Sequence, residues 1–172
     1  MDEIKNQQCP ICKKNSVTLR EELTEVPYFG KLYLFSMECS DCNYKKSDVE
    51  SETQKKPVKI TFTIEDEKDL SVRVIKSSTA SIRIPQLRIS VTAGPESDGY
   101  VSNIEGVLDR FYKITEGERD IAEDEETRKK AKKLLKKLWK AKSGDLKLKI
   151  ILEDPEGNSS ILSEKAEIKN LK

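Results

Sequence analysis

Val17, Leu19 and Leu23 fall on one parity of the chain, with Thr18, Arg20, Glu22 and Thr24 on the other. That period of two predicts a half-buried strand. Val26-Pro27-Tyr28-Phe29-Gly30 supplies a turn, and a return strand over Lys31 to Glu38 places Leu32 and Leu34 on one face and Tyr33, Phe35 and Met37 on the other. A strand apolar on both faces needs two covers. A following domain provides one, and residues near the hairpin tip are left as an apolar patch for a partner or as further packing.

Polar sequence from Ser47 to Pro57 reads as a linker. Beyond it Val58, Ile60, Phe62 and Ile64 alternate with lysine and threonine, and Val72 to Ile75 and Ser81 to Ile84 continue the pattern. Pro85 predicts an edge or bend before Leu87, Ile89 and Val91 resume it. Ser102 and Glu105 have the spacing of a capping box. Ile104, Val107, Leu108 and Phe111 then line a helix expected to stop at Gly117.

A second helix is predicted from about Asp120 to Lys142, acidic in its first half and basic in its second, as the helix dipole favours. Ala131, Leu134, Leu135, Leu138 and Trp139 form its apolar stripe. Strands return at Leu146, Leu148 and Ile150, a turn follows at Asp154 to Asn158, and Ile161 to Ile168 is the last strand. Terminal strands of such a segment pair with each other and leave the helical hairpin as an insertion.

The candidate chemistry is confined to the start of the chain. Its four cysteines form Cys9-Pro10-Ile11-Cys12 and Cys39-Ser40-Asp41-Cys42, and there is no histidine. Two such turns bring four sulfurs to one point, matching a closed tetrahedral site with zinc–sulfur bonds of about 2.3 Å. A closed thiolate shell leaves no position for substrate, so the expected role is one structural Zn2+. An iron–sulfur cluster fits the same ligand count, and a redox pair or disulfides are further readings. Disulfides within Cys-x-x-Cys would close strained loops.

Charge narrows the function classes. The chain has 32 basic and 31 acidic residues, a net charge of +1, so no global field attracts nucleic acid or anionic lipid. Residues 1–50 are slightly acidic, unlike a nucleic-acid-binding finger. No apolar run is long enough to span a membrane, and Met1-Asp2-Glu3 opens without a basic, apolar leader, which predicts a cytoplasmic protein. Without histidine, and with every cysteine committed to metal, no constellation points to an enzyme. An RNA- or ribosome-associated role would use the lysines of the second helix, Lys132, Lys133, Lys136 and Lys137.

The predicted architecture is α+β, mainly β. A four-cysteine, zinc-ribbon-like finger with a long β-hairpin occupies residues 1–50, a linker 51–57, and a β-rich domain 58–172 with a helical hairpin at about 103–142.

Several stretches, in order, resemble the ZPR-type zinc-finger protein family. They are Pro27-Tyr28-Phe29-Gly30, Cys39 to Tyr44, Asp69-Leu70, Val74 to Ser77, Ile82 to Pro85, Gly99 to Gly106 and Asp154 to Ser159. Asn43 replaces the glycine common after a second knuckle, and tolerates the left-handed conformation. Gln86 stands where the family often has glutamate.

The resemblance covers nearly the whole chain but only one copy of a module that eukaryotic members carry twice. It implies a companion A-domain resembling a double-stranded β-helix with an inserted helical hairpin. It also implies a partner, translation elongation factor 1-alpha, preferred in its GDP-bound form and assisted in its folding. On this reading Pro27, Tyr28 and Phe29 present one contact and the loop–helix entry at Gly99, Asn103 and Glu105 a second. A homodimer that replaces the absent copy is a further expectation.

Overall fold

A computed structural model describes residues 1–171. The first sheet has four antiparallel strands in sequence order, β1 (Asp2–Gln8), β2 (Asn15–Val26), β3 (Gly30–Cys39) and β4 (Lys45–Ser51). The β2–β3 hairpin forms as its alternation predicts, in register from Val17 opposite Cys39 to Val26 opposite Gly30. The two outer strands carry no such signal: β1 is exposed throughout and β4 buries only Val49 and Ser51. The first part of the polar stretch read as linker, Ser47 to Ser51, is therefore strand, and residues 52–57 are not. The strand's backbone pairs with β3, and backbone pairing needs no apolar side chains.

The inner face of this sheet buries Val26, Leu32 and Val49 with Ile75 of the following segment. The register puts Leu19, Leu23, Tyr33, Phe35 and Met37 together on the opposite face. One of the two covers expected for β3 is thus the second domain.

That domain begins with β5 (Val58–Ile64). It continues through β6 (Arg73–Lys76), β7 (Ser81–Ile84), β8 (Ile89–Val91) and β9 (Tyr100–Asn103), followed by helices α1 (Ile104–Ile121) and α2 (Glu125–Lys142). Three strands close it, β10 (Leu148–Asp154), β11 (Ser160–Ile161) and β12 (Glu167–Asn170). They make a five-stranded sheet, β12-β5-β10-β7-β8, and a three-stranded sheet, β11-β6-β9. First and last strands pair, β12 beside β5, leaving the helices as an insertion. Ile60, Phe62, Ile82, Ile150 and Leu152 meet Ile104, Leu108 and Leu138 in the main core. Each such side chain contributes about 1.5–3 kcal/mol on burial.

Three local expectations are corrected. The α1 N-cap is Asn103, whose Oδ1 accepts from the Gly106 N–H at 2.8 Å, rather than Ser102. Gly117 lies inside α1, because burial of the helix face outweighs the roughly 1 kcal/mol cost of a mid-helix glycine. The segment from Ile161 to Ile168 is split between two sheets, β11 and β12, by an intervening turn.

Candidate metal centre and the hairpin it holds

Two near-equivalent knuckles build the cysteine cluster. In the first, the Cys9 N–H donates to Lys14 O at 2.8 Å and the Lys13 N–H to Cys9 O at 3.0 Å. In the second, the Cys39 N–H donates to Tyr44 O at 2.9 Å and the Asn43 N–H to Cys39 O at 3.1 Å. Each knuckle turns through a left-handed residue just after its second cysteine, Lys13 at φ 64° and Asn43 at φ 58°. Asparagine adopts this conformation readily and lysine less so. Lys14 bridges to Asp41 at 2.9 Å, and the Ser40 N–H donates to Ser16 O at 3.0 Å, tying the knuckles together.

The four sulfurs lie within 4.8 Å of one another. The cross-knuckle pairs Cys9–Cys42 and Cys12–Cys39 are each 3.7 Å apart, and the cysteines are free of disulfides. Tetrahedral bonds of about 2.3 Å place sulfurs about 3.8 Å apart, so the cluster is positioned to hold one metal ion. Cys9 and Cys39 are buried against Val17, with Leu19, Met37 and Tyr44 packed around them.

The thiols do not ionise alike. A hydrogen bond from the Ser16 side chain, with the Cys42 and Asp41 N–H groups, holds the Cys39 thiol down to about 6. The Tyr44 N–H favours a Cys42 thiolate, yet desolvation and the Cys39, Cys9 and Cys12 sulfurs push that thiol up to about 12. Like charges crowded into one cage oppose each other's ionisation, and a divalent cation relieves that opposition. When bound, zinc supplies a closed cross-link between the two ends of the β2–β3 hairpin.

At the other end of that hairpin, Val26 O accepts from the Phe29 N–H at 3.0 Å. Pro27 sits second in this β-turn and Tyr28 third, with φ at 68°. That is the signature of a type II turn, whose third position favours glycine. Tyr28 is 101% exposed. Phe29, by contrast, packs on the inner-face cluster with Val26, Leu32 and Ile75. The Lys55 ammonium stands 3.1 Å from its ring centroid. Of the two tip aromatics only Tyr28 projects freely.

The second predicted contact divides in the same way. Gly99 is buried at the seam between domains: its N–H donates to Ser47 O at 2.8 Å, and a Cβ there would collide with Asp48 and Val49. Asn103 caps α1, and Glu105 is exposed in its first turn.

A polar joint that the alternation did not reveal completes this seam. Asp154 is fully buried and accepts from Ser77 Oγ at 2.8 Å, Thr79 Oγ1 at 2.9 Å, Ser159 Oγ at 2.6 Å and the Glu156 N–H at 2.9 Å. Next to it the Ser78 N–H and hydroxyl both donate to Asp48 of β4, and Asn158 Oδ1 accepts from the Ser51 N–H at 3.1 Å. Ser77, Asp154 and Ser159 lie in stretches that resemble the family, which is the one sequence signal that marks them.

Comparison with known proteins follows the same division. A model of the ZPR1 zinc-finger domain matches residues 3–57, and a model of the ZPR1 jelly-roll domain matches residues 68–172. A ZPR1-like protein of Methanocaldococcus jannaschii is 38% identical over 168 residues, covering 97% of this chain and 85% of that protein. One from Pyrococcus horikoshii is 34% identical, covering 99% and 78%. The zinc finger chaperone zpr1 of Schizosaccharomyces pombe is 32% identical over 163 residues, which is 89% of this chain and 33% of that protein. These names describe zinc-finger proteins or a chaperone rather than enzymes. The zinc-finger match identifies the metal as structural zinc, which removes the iron–sulfur reading. No helix among the described residues is long and apolar enough to cross a membrane.

Proposed function

The chain belongs to the ZPR1 zinc-finger family, and from that premise we propose that it is a zinc-stabilised module that binds translation elongation factor 1-alpha in its GDP form and assists its folding in the cytoplasm. Cys9, Cys12, Cys39 and Cys42 hold the single zinc. The observation that carries the reading is Tyr28, a bulky aromatic fully exposed and held in a left-handed conformation at the end of a clamped hairpin. Strain of this kind persists where surrounding structure over-determines it, and it concentrates at binding sites. Aromatic anchors are frequent hot spots. Pro27 fixes the turn, Phe29 roots it in the core, and Asn103 and Glu105 offer a second contact on a loop that Gly99 positions. The fission yeast relative's name, zinc finger chaperone, supports the folding role.

Pull-down of purified elongation factor 1-alpha tests this. The zinc-loaded protein is expected to retain the GDP-bound factor, and Tyr28→Ala to weaken retention at least about tenfold, the scale of a single interface hot spot. Absence of binding in both nucleotide states overturns the reading. A second reading, RNA contact through α2, rests on a groove where Lys132, Lys136 and Lys140 flank Trp139, which is 61% exposed. Salt-dependent RNA binding abolished by Lys132→Glu and Lys136→Glu would favour it.

A further inference from the structure

The finger's sheet has a second apolar face, which the second domain meets at its β4 side, where Asp48 accepts from Ser78 and Lys46 donates to Pro95 O, and which is otherwise open over Ile4 and Leu23. Cross-strand register aligns Ile4, Leu19 and Met37 in one row, Phe35 opposite Glu21 in the next, and Leu23 opposite Tyr33 in a third. Tyr33 and Phe35 stack at 6.1 Å. Ile4 is 58% and Leu23 46% exposed. A groove of about 330 Å³ opens here, floored by Ile4, Leu19, Phe35 and Met37. An antiparallel sheet with one face on a core normally turns a polar face to water. This one does not.

Acidic groups outnumber basic ones on this face: Arg20 and Lys46 also line the groove and Lys31 shares the face, but Arg20 is paired with Glu3 and Glu38 and Lys31 with Glu52. Asp2 and Glu21 line it, and Glu25 and Glu50 lie on the same face beyond it. None of these four carboxylates enters a salt bridge among the described residues, whereas on the opposite face Glu3 and Glu38 are paired with Arg20 and Lys45. Lys46, the lysine in the groove, already donates to Pro95 O at 2.7 Å. Covering this face desolvates carboxylates, a cost offset only by a partner that brings cations.

The edge strand narrows the mode of binding. β1 pairs regularly with β2 only from Asp2 to Ile4, then shifts register where Asn6 turns to φ 59°. A bulged edge resists strand addition. The partner therefore lies across the face rather than along the edge.

We propose that the outer face of the finger sheet docks a basic amphipathic segment of the partner protein, with apolar side chains seated on Leu19, Phe35 and Met37 and lysines or arginines meeting Asp2, Glu21 and Glu50. This rests on the reading of the chain as a protein-binding module and adds the chemistry of what it binds.

Amide-shift titration of the zinc-loaded full chain with a short synthetic amphipathic helix of lysine and leucine tests it. The expected result is saturable shifts at Leu19, Glu21, Phe35 and Met37 that weaken with salt, with no such shifts from the glutamate–leucine counterpart. The double variant Glu21→Lys, Glu50→Lys changes only exposed side chains, so it keeps the fold, and it should weaken the basic peptide at least about tenfold. Shifts that map elsewhere, equal binding of the acidic peptide, or an RNA oligonucleotide seated on this face would overturn the proposal. The titration does not involve the elongation factor, so failure of that factor to bind leaves it decisive. A factor that binds wild type and the double variant equally would overturn this proposal and leave the role of Tyr28 standing.

Discussion

Replacing Tyr28 by glycine and, separately, by alanine removes the same fully exposed side chain, so neither change loses buried area. The two variants differ in the backbone. At φ 68° a residue with a Cβ carries a penalty of about 1–2 kcal/mol, which alanine keeps and glycine escapes. Glycine loses more chain entropy on folding, about 0.5–1 kcal/mol. The difference leaves Tyr28→Gly more stable than Tyr28→Ala by about 0.5–1 kcal/mol, with the alanine variant near wild type.

Urea unfolding of the zinc-loaded protein reads this directly. With a slope of about 1–3 kcal/mol/M, the glycine midpoint should lie roughly 0.2–1 M above the alanine midpoint. Both variants should lose the elongation factor equally, because both lose the ring. Equal midpoints for glycine and alanine would refute the strain argument. A loss above about 1 kcal/mol in both would mean that the ring packs on the protein, and Tyr28 would cease to be a free anchor.

Asp154→Ala strands three hydroxyls and an N–H in a buried site, so it should cost about 2–4 kcal/mol by the same assay. Asp154→Asn, which keeps one acceptor oxygen, should cost less. Asp69 is 4% exposed; burial raises its pKa, but the Glu65 N–H and Lys165 ammonium outweigh that and hold it below the usual range. Its stabilisation is complete above the unfolded carboxyl value near 4 and is lost as pH falls through the lower folded value. Lys165→Met, at a half-exposed partner, should therefore cost about 0.5–1 kcal/mol at neutral pH, and progressively less as pH falls through the lowered folded value. Zinc chelation should abolish hydrogen-exchange protection at Val17, Leu19 and Met37 and leave that of Phe62, Ile150 and Leu152 intact.

What was legible in the sequence is what side chains announce. The Cys-x-x-Cys pairs located the metal site, and the alternation of Val58 to Ile64 and of Leu146 to Ile150 located two strands that pair in the middle of the jelly roll's larger sheet, the second beginning at Leu148 and running on to Asp154. Strands β1 and β4 were not legible, because their contribution is backbone pairing and their side chains are polar. The capping box misled for a related reason: Ser102 and Asn103 are both competent caps, and the β6–β9 pairing, which runs through Asn103, decides where the helix begins. Asp154 was visible only through resemblance, since a lone buried carboxylate has no period.

The hairpin tip depends on all of these parts at once. Tyr28 alone would relax toward a conformation with negative φ, since the turn it closes is short and exposed. It is prevented at three places. The cysteine knuckles fix where β2 and β3 start and end. Phe29, under Lys55, anchors the residue next to it. Asp48, which accepts from Ser78, and the Ser51 N–H, which donates to Asn158, hold β4, and through it β3, against the jelly roll, and Asp154 fixes the neighbouring Ser77 and Ser159 hydroxyls. Loosening any of the three should lower the cost of relaxing the turn. The difference in stability between glycine and alanine at position 28 should then shrink in a zinc-free or Asp154→Asn background. That coupling follows only if the metal and the jelly roll together hold the tyrosine in place, and additivity between the sites would refute it.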